Sequence, residues 1–152
     1  MSFLRLLTTG RCSDMQFAEH GSFRVRVVGQ IIFVSVNGPY NEELALRHSA
    51  IVHPLFSELS KKGPWIEIVT ISGSALFTPG VAEIHSRGVK LAHDFGIAAS
   101  VFVMPIGLEG RDVSIFVLKE IFEPYSVIRF FSDFNSALSF SEDLLSSLKC
   151  DF

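Results

Sequence analysis

Short apolar segments, some of them alternating with polar residues, mark five predicted β-strands. The segment FRVRVV alternates its apolar residues with Arg24 and Arg26, which is typical of a strand with one wet face. Only two residues separate this segment from IIFVSV, so we predict that the two strands form a hairpin. The predicted strands are 23–28, 31–36, 65–71, 97–104 and 127–131.

Four other segments repeat apolar residues every three or four positions, which is typical of amphipathic helices. Asn41 is placed to cap the first helix, Thr78 followed by Pro79 to begin the second, Asp112 to cap the third, and Ser132 or Asp133 to cap the fourth. Gly96 is expected to end the second helix. The apolar positions that define the first two helices are Leu44, Ile51, Val52, Leu55, Phe56 and Leu59, then Val81, Ile84, Leu91, Ala92 and Phe95.

The order of these elements predicts an α/β fold, because an opening hairpin is followed by regular alternation of strand and helix. We predict a mixed sheet of about five strands, parallel in its later strands, flanked by about four helices. No repeat, low-complexity tract or linker interrupts the pattern. We therefore expect residues 1–152 to form a single domain, with its core in residues 23–148.

Composition and charge narrow the classes of partner. Hydrophobic residues make up 48% of the chain, and 15 of them are Phe, an excess that favours a sheet covered on both faces and a homodimer formed through the edge of the hairpin. A net charge of -3 with thinly spread basic residues disfavours nucleic-acid binding. No apolar run is long enough for membrane insertion, and Cys12 and Cys150 lack metal-ligand spacing. We expect a cytoplasmic protein.

Two loops are predicted to lie beyond the carboxyl ends of the strands, where ligands tend to bind in such sheets. They are NGPYNE at 37–42 and SGSALFTPG at 72–80. Free amides at the start of the second helix would favour binding of an anion. A helix cap or a turn without ligand binding explains the same residues, and for Thr78 we favour the role of a cap. No nucleotide fingerprint is present, and we predict no cofactor. The candidate ligand or partner residues are Gly38, Tyr40, Ser72, Gly73, Ser74, Thr78 and Gly80.

A family resemblance rests on the strand IEIVTISG, the loop ALFTPGVAEI and the closing segment VIRFFSDFNSALSFSEDLL. In this order they resemble the STAS domains, named for sulphate transporters and anti-sigma-factor antagonists, and especially the small stand-alone STAS-like members. The resemblance covers residues 23–148. It implies a regulatory domain that docks partners, with Thr78 as the candidate phosphoacceptor and Gly80 retained. Phe77 and Pro79 stand where the anti-sigma antagonists have Asp and a second Ser.

Two classes of function follow. The favoured one is a non-enzymatic regulatory or binding module that recognises a protein partner or a small apolar or anionic ligand through the two loops. The alternative is a small enzyme that uses a histidine and a carboxylate at the same edge of the sheet, with His85 or His93 beside Glu83 or Asp94. Neither helix pairs its histidines at chelating spacing, so we predict no metal site and expect the histidines on solvated helix surfaces.

Overall fold

The computed structural model describes the backbone of residues 5–11 and the whole of residues 21–149. They form one mixed sheet with the strands in sequence order, β1 to β6, and four helices. β1, β2 and β3 are antiparallel neighbours, and β3 to β6 are parallel. The elements are β1 Arg5–Arg11, β2 Ser22–Val28, β3 Ile31–Asn37, α1 Glu42–Ser60, β4 Trp65–Ser72, α2 Pro79–Asp94, β5 Ile97–Val103, α3 Arg111–Phe122, β6 Ile128–Phe131 and α4 Phe134–Lys149.

The predicted α/β class, mixed sheet and four helices are confirmed, and each of the five predicted strands is present. β1 is an additional strand, which pairs with the outer side of β2. The opening hairpin therefore lies inside the sheet, although we expected it at the edge. The homodimer stays a prediction, which now rests on the excess of apolar residues and no longer on an exposed hairpin.

Helices cover the two faces of the sheet unequally. Successive crossovers from β3 to β6 run in one direction across the sheet, and right-handed crossovers then place α1, α2 and α3 on one face. α4 follows the last strand and covers the other face, where it packs on β4, β5 and β6. The central strands are thus buried on both faces, which accounts for much of the apolar composition.

Successive side chains of each strand point to opposite faces of the sheet. Val34 and Trp65 pack beneath α1 and α2, whereas Ile66, Ile68 and Val101 pack beneath α4. The alternation in β4 places one acidic side chain, Glu67, on the same face as Trp65.

The helix ends agree with the predicted caps in part. Asn41 caps α1, with its Oδ1 accepting a hydrogen bond of 3.0 Å from the amide of Leu44. Asp133 Oδ1 accepts a hydrogen bond from the amide of residue 136 at the start of α4. The prediction for Asp112 is wrong, because α3 begins after Gly110 and Asp112 lies within its first turn.

No described helix is long and apolar enough to cross a membrane. Cys12 and Cys150, whose spacing predicts no metal site, lie outside the described residues.

Candidate functional site

The two predicted loops meet at the carboxyl edge of the sheet. β3 and β4 are parallel and in register to their last residues, so the loops that follow them start side by side. The amide of Gly38 donates to the carbonyl of Ser72 at 2.9 Å, and the amide of Tyr40 donates to the carbonyl of Leu76 at 3.1 Å. Tyr40 and Phe77 form a parallel β-bridge. Backbone pairing thus joins the loops 37–42 and 72–80.

Glycine permits this close approach at two positions. A Cβ on Gly38 would overlap the carbonyl oxygen of Ser74, and a Cβ on Gly73 would overlap the side chain of Asn37. Gly73 also has a φ of +76°, which favours glycine. Of the predicted site residues, Gly38, Ser72 and Gly73 therefore hold the loops together.

An open cleft of about 550 Å³ lies between the loops. Its walls include Tyr40, Phe77 and Thr78 together with the carboxylate residues Glu42 and Glu43 at the start of α1. None of the residues that line this outer cleft is Lys or Arg. The two predicted loops thus form a cleft whose charged groups are acidic.

The start of α2 is covered by an acidic residue of the same chain. Thr78 is exposed and occupies the N-cap position, but its side chain makes no capping hydrogen bond. A Cβ on Gly80 would overlap the carboxylate of Glu42, so this carboxylate lies directly over the first turn of α2. An anionic ligand at Gly80 would therefore meet a negative charge, and a Gly80→Asp substitution would disturb Glu42 even without a ligand.

An inner cavity of about 60 Å³ lies behind Tyr40 and Phe77, between the sheet and α1, α2 and α3. A rear chamber of about 40 Å³ continues from it beneath α1 and α2. Both spaces share His48, Glu67 and His85. We refer to Tyr40, His48, Glu67 and His85 as the polar cluster, because the rest of the inner cavity is mainly apolar.

Each member of the polar cluster reaches the cavity through the regular geometry of its element. Glu67 follows Trp65 by two residues on β4, so both side chains face the same helices. His48 follows the buried Leu44 by four residues on α1, and His85 follows the buried Val81 by four residues on α2. Tyr40 enters from the loop before α1.

The expectation of solvated helix-surface histidines is wrong for His48 and His85. They lie on the apolar faces of α1 and α2 and line the inner cavity. Each follows a buried apolar residue, Leu44 or Val81, by four positions, and this helical spacing could have predicted that both histidines are buried. Glu67 was likewise visible as one acidic residue within the apolar strand WIEIVTI.

Aromatic contacts join the three ring-bearing members of the polar cluster, Tyr40, His48 and His85. The ring of Tyr40 is nearly parallel to that of His85, with centroids 5.8 Å apart, and its centroid lies 6.4 Å from that of His48. Phe77 meets His85 edge-on at 5.9 Å. Because Tyr40 and Phe77 also line the outer cleft, these two rings separate the cleft from the inner cavity.

Two buried polar atoms in the cluster have no hydrogen-bond partner among the described residues, namely Tyr40 Oη and His48 Nε2. Tyr40 is only 8% exposed. Burying such a group without a partner costs about 1–3 kcal/mol, and most buried polar groups in proteins are paired. Both residues line the inner cavity, so a molecule held there could supply the missing bonds.

Burial also sets the protonation of the cluster. Desolvation raises the pKa of Glu67 from 4.5 to about 7. Desolvation lowers the pKa of His85 to about 4, and desolvation together with His85 and His53 lowers the pKa of His48 to about 3. Burial, and secondarily the Glu67 carboxylate, raises the pKa of Tyr40. Near neutral pH both histidines and the phenol are uncharged, and Glu67 is the group that titrates.

The histidine and carboxylate pairs considered for an enzyme do not form a site at the cleft. His93, Glu83 and Asp94 are exposed on α2 and line neither the cleft nor the cavities. His93 Nδ1 lies 2.9 Å from the carbonyl oxygen of Tyr125. His85 shares the inner cavity with a different carboxylate residue, Glu67. Within residues 21–149 no group of three potential ligands is arranged to hold a metal ion.

Comparison with known proteins leaves the family open. No protein-family model, curated protein or solved structure matches this chain.

Proposed function

We propose that this domain is a non-enzymatic binding module that takes a small molecule through the outer cleft and holds its polar end in the inner cavity. The observation that carries this proposal is the pair of buried, unpartnered atoms, Tyr40 Oη and His48 Nε2, in a mainly apolar cavity. A ligand that bonds to both atoms would offset their desolvation, which is a gain available only to a molecule in that position.

The size of the cavity limits what it can hold. At about 15 Å³ for one water-sized site, a cavity of about 60 Å³ has room for roughly four such sites. We therefore expect a polar head of a few heavy atoms inside, with the remainder of the ligand in the outer cleft between Tyr40 and Thr78.

A regulatory role would follow from the position of the ligand. The ligand would contact Tyr40 and Phe77, and the bridge between these two residues joins the loops 37–42 and 72–80. Occupancy would then change the surface that the loops present to a protein partner. This agrees with the STAS-like resemblance, which implies partner docking near Thr78, and phosphorylation of Thr78 stays a prediction.

The test uses three probes of similar length, butylamine, 1-butanol and butyrate, followed by NMR of the cavity residues. We expect at least one probe to shift the signals of Tyr40, His48 and Val69 in a saturable way. Ala75 lines the inner cavity, so Ala75→Leu should fill it and abolish these shifts. Ala50→Leu is the matched control, because Ala50 is exposed on α1. If none of the probes shifts these signals, or if Ala75→Leu leaves the shifts unchanged, the proposal is wrong.

A proton-transfer enzyme is a second candidate, favoured by the pKa of Glu67. A carboxyl whose pKa is about 7, beside a phenol in an apolar cavity, is suited to general acid and base catalysis near neutral pH. Butanone in deuterated water tests this candidate, because a general base exchanges its α-protons. Exchange that is faster with the wild-type protein than with Glu67→Gln would support an enzyme, and equal rates would exclude this use of Glu67.

A further inference from the structure

We propose that the ligand of the inner cavity carries a primary ammonium group, which Glu67 recognises from the wall shared with the rear chamber. This inference rests on the proposed binding function and adds the chemical class of the ligand. It is carried by three features of the described residues: the sign of the charges, the aromatic walls and the available hydrogen-bond acceptors.

The charged residues along the path into the cavity are acidic. Glu42 and Glu43 line the outer cleft, and Glu67 lies at the inner end. None of the residues that line the cleft, the inner cavity or the rear chamber is Lys or Arg. These carboxylates attract a cation that enters this path, whereas a carboxylate or phosphate ligand would meet them with no Lys or Arg to offset the repulsion.

Aromatic rings complete the walls around the polar cluster. Tyr40, Phe77, Phe102 and Phe122 all line the inner cavity. The faces of such rings attract a cation, and the attraction is strongest where water is excluded. An apolar cavity with several rings and one carboxylate is better suited to an ammonium group than to a neutral alkyl group.

The unpartnered atoms also suit a donor. An ammonium group donates hydrogen bonds and accepts none. The carboxylate of Glu67 and the hydroxyl oxygen of Tyr40 can both accept, and the neutral ring of His48 can accept at Nε2 when Nδ1 carries the proton. The small cavity favours a primary ammonium group over a bulky quaternary one.

The pH dependence of binding gives this inference a specific signature. The titratable groups that line the two chambers with Glu67 are Tyr40, His48, His53 and His85. Burial keeps them uncharged near neutral pH, because it lowers the pKa of each histidine and raises that of Tyr40. An ammonium group should bind the ionised form of Glu67, so its affinity should rise roughly tenfold per pH unit below pH 7 and level off above it.

The experiment measures the dissociation constants of butylamine, 1-butanol and butyrate by NMR titration from about pH 5 to about pH 8. We expect butylamine to bind at least about tenfold more tightly than the other two at the upper end, and to weaken as the pH falls. Glu67→Gln should remove this preference and its pH dependence. Glu120→Gln, at an exposed position on α3, should leave both unchanged. Circular dichroism checks that both variants are folded.

The outcomes separate this inference from the proposed function. If 1-butanol or butyrate binds in the cavity as tightly as butylamine, the cavity binds small molecules but not through ammonium recognition. Butylamine binding that persists in Glu67→Gln, or that does not change with pH, would also overturn the role of Glu67. If none of the three probes reaches the cavity, both proposals fail.

Discussion

Replacing Glu67 with glutamine should make the stability difference between variant and wild type depend on pH. The pKa of Glu67 is raised from 4.5 to about 7 in the folded protein, because burial disfavours its charged form. Its contribution to stability is therefore fully present below pH 4.5 and is lost as the pH rises to about 7. Glutamine has nearly the same shape and does not titrate, so the variant lacks this loss.

The expected magnitude follows from the two pKa values. One pKa unit corresponds to about 1.4 kcal/mol, and linkage between 4.5 and about 7 gives a change of about 2.5 kcal/mol between about pH 5 and about pH 8.5. This is an upper value, because Glu67 is only partly buried. Relative to wild type, Glu67→Gln should thus gain stability by this amount as the pH rises over that range.

Urea unfolding of the wild type and of Glu67→Gln across this pH range measures the difference directly. Titration of the buried histidines changes the free energy of unfolding of both proteins equally, so it cancels in their difference. Glu120→Gln should show a difference that does not vary with pH, because Glu120 is exposed. A difference for Glu67→Gln that is equally flat would mean that Glu67 titrates normally in the folded protein, and would refute the reasoning.

Three further predictions concern caps, a buried hydroxyl and assembly. Asn41→Ala should lower the free energy of unfolding in urea by about 1 kcal/mol, because a capping hydrogen bond is lost. Thr78→Ala loses no such bond and should lower it by less than about 0.5 kcal/mol. Equal losses for the two variants would contradict this contrast. Ser114→Ala should cost about 1–2 kcal/mol, because Ser114 Oγ donates to the buried carbonyl of Ala75 at 2.6 Å; a silent substitution would contradict it. Light scattering at tens of micromolar should give the mass of a dimer, and a monomer mass would exclude the predicted homodimer.

Much of the fold could be predicted, because the order of apolar and polar residues within a helix or strand indicates which of its faces is buried. The alternation of β2 and the spacing of Leu44, Val52 and Leu59 in α1 need no knowledge of their partners. β1 was missed because its segment, RLLTTGR, neither alternates nor forms a continuous apolar run. The cap of α3 was predicted at Asp112, two residues too late, because Gly110 can begin a helix without a side-chain cap.

The sequence predicted the two loops that form the outer cleft, but it did not predict the residues that α1, β4 and α2 contribute to the inner cavity. Loop position alone identified Tyr40 and Ser74, which line the inner cavity. The convergence of His48, Glu67 and His85 depends on how α1, β4 and α2 are stacked, and no local pattern contains that information. At Thr78 the local sequence was misleading. It is typical of a helix cap, but the side chain makes no capping hydrogen bond.

The sequential order of the strands has a consequence for how the chain folds. Every strand pairs with the strands that precede and follow it along the chain, so no pairing has to wait for a distant segment. The β2–β3 hairpin closes a short loop and favours rapid folding, whereas each parallel pair must close a loop that contains a whole helix and forms more slowly. During synthesis, each new unit of helix and strand can be added to the sheet already formed, and α4 can cover the second face only when the last strand is in place.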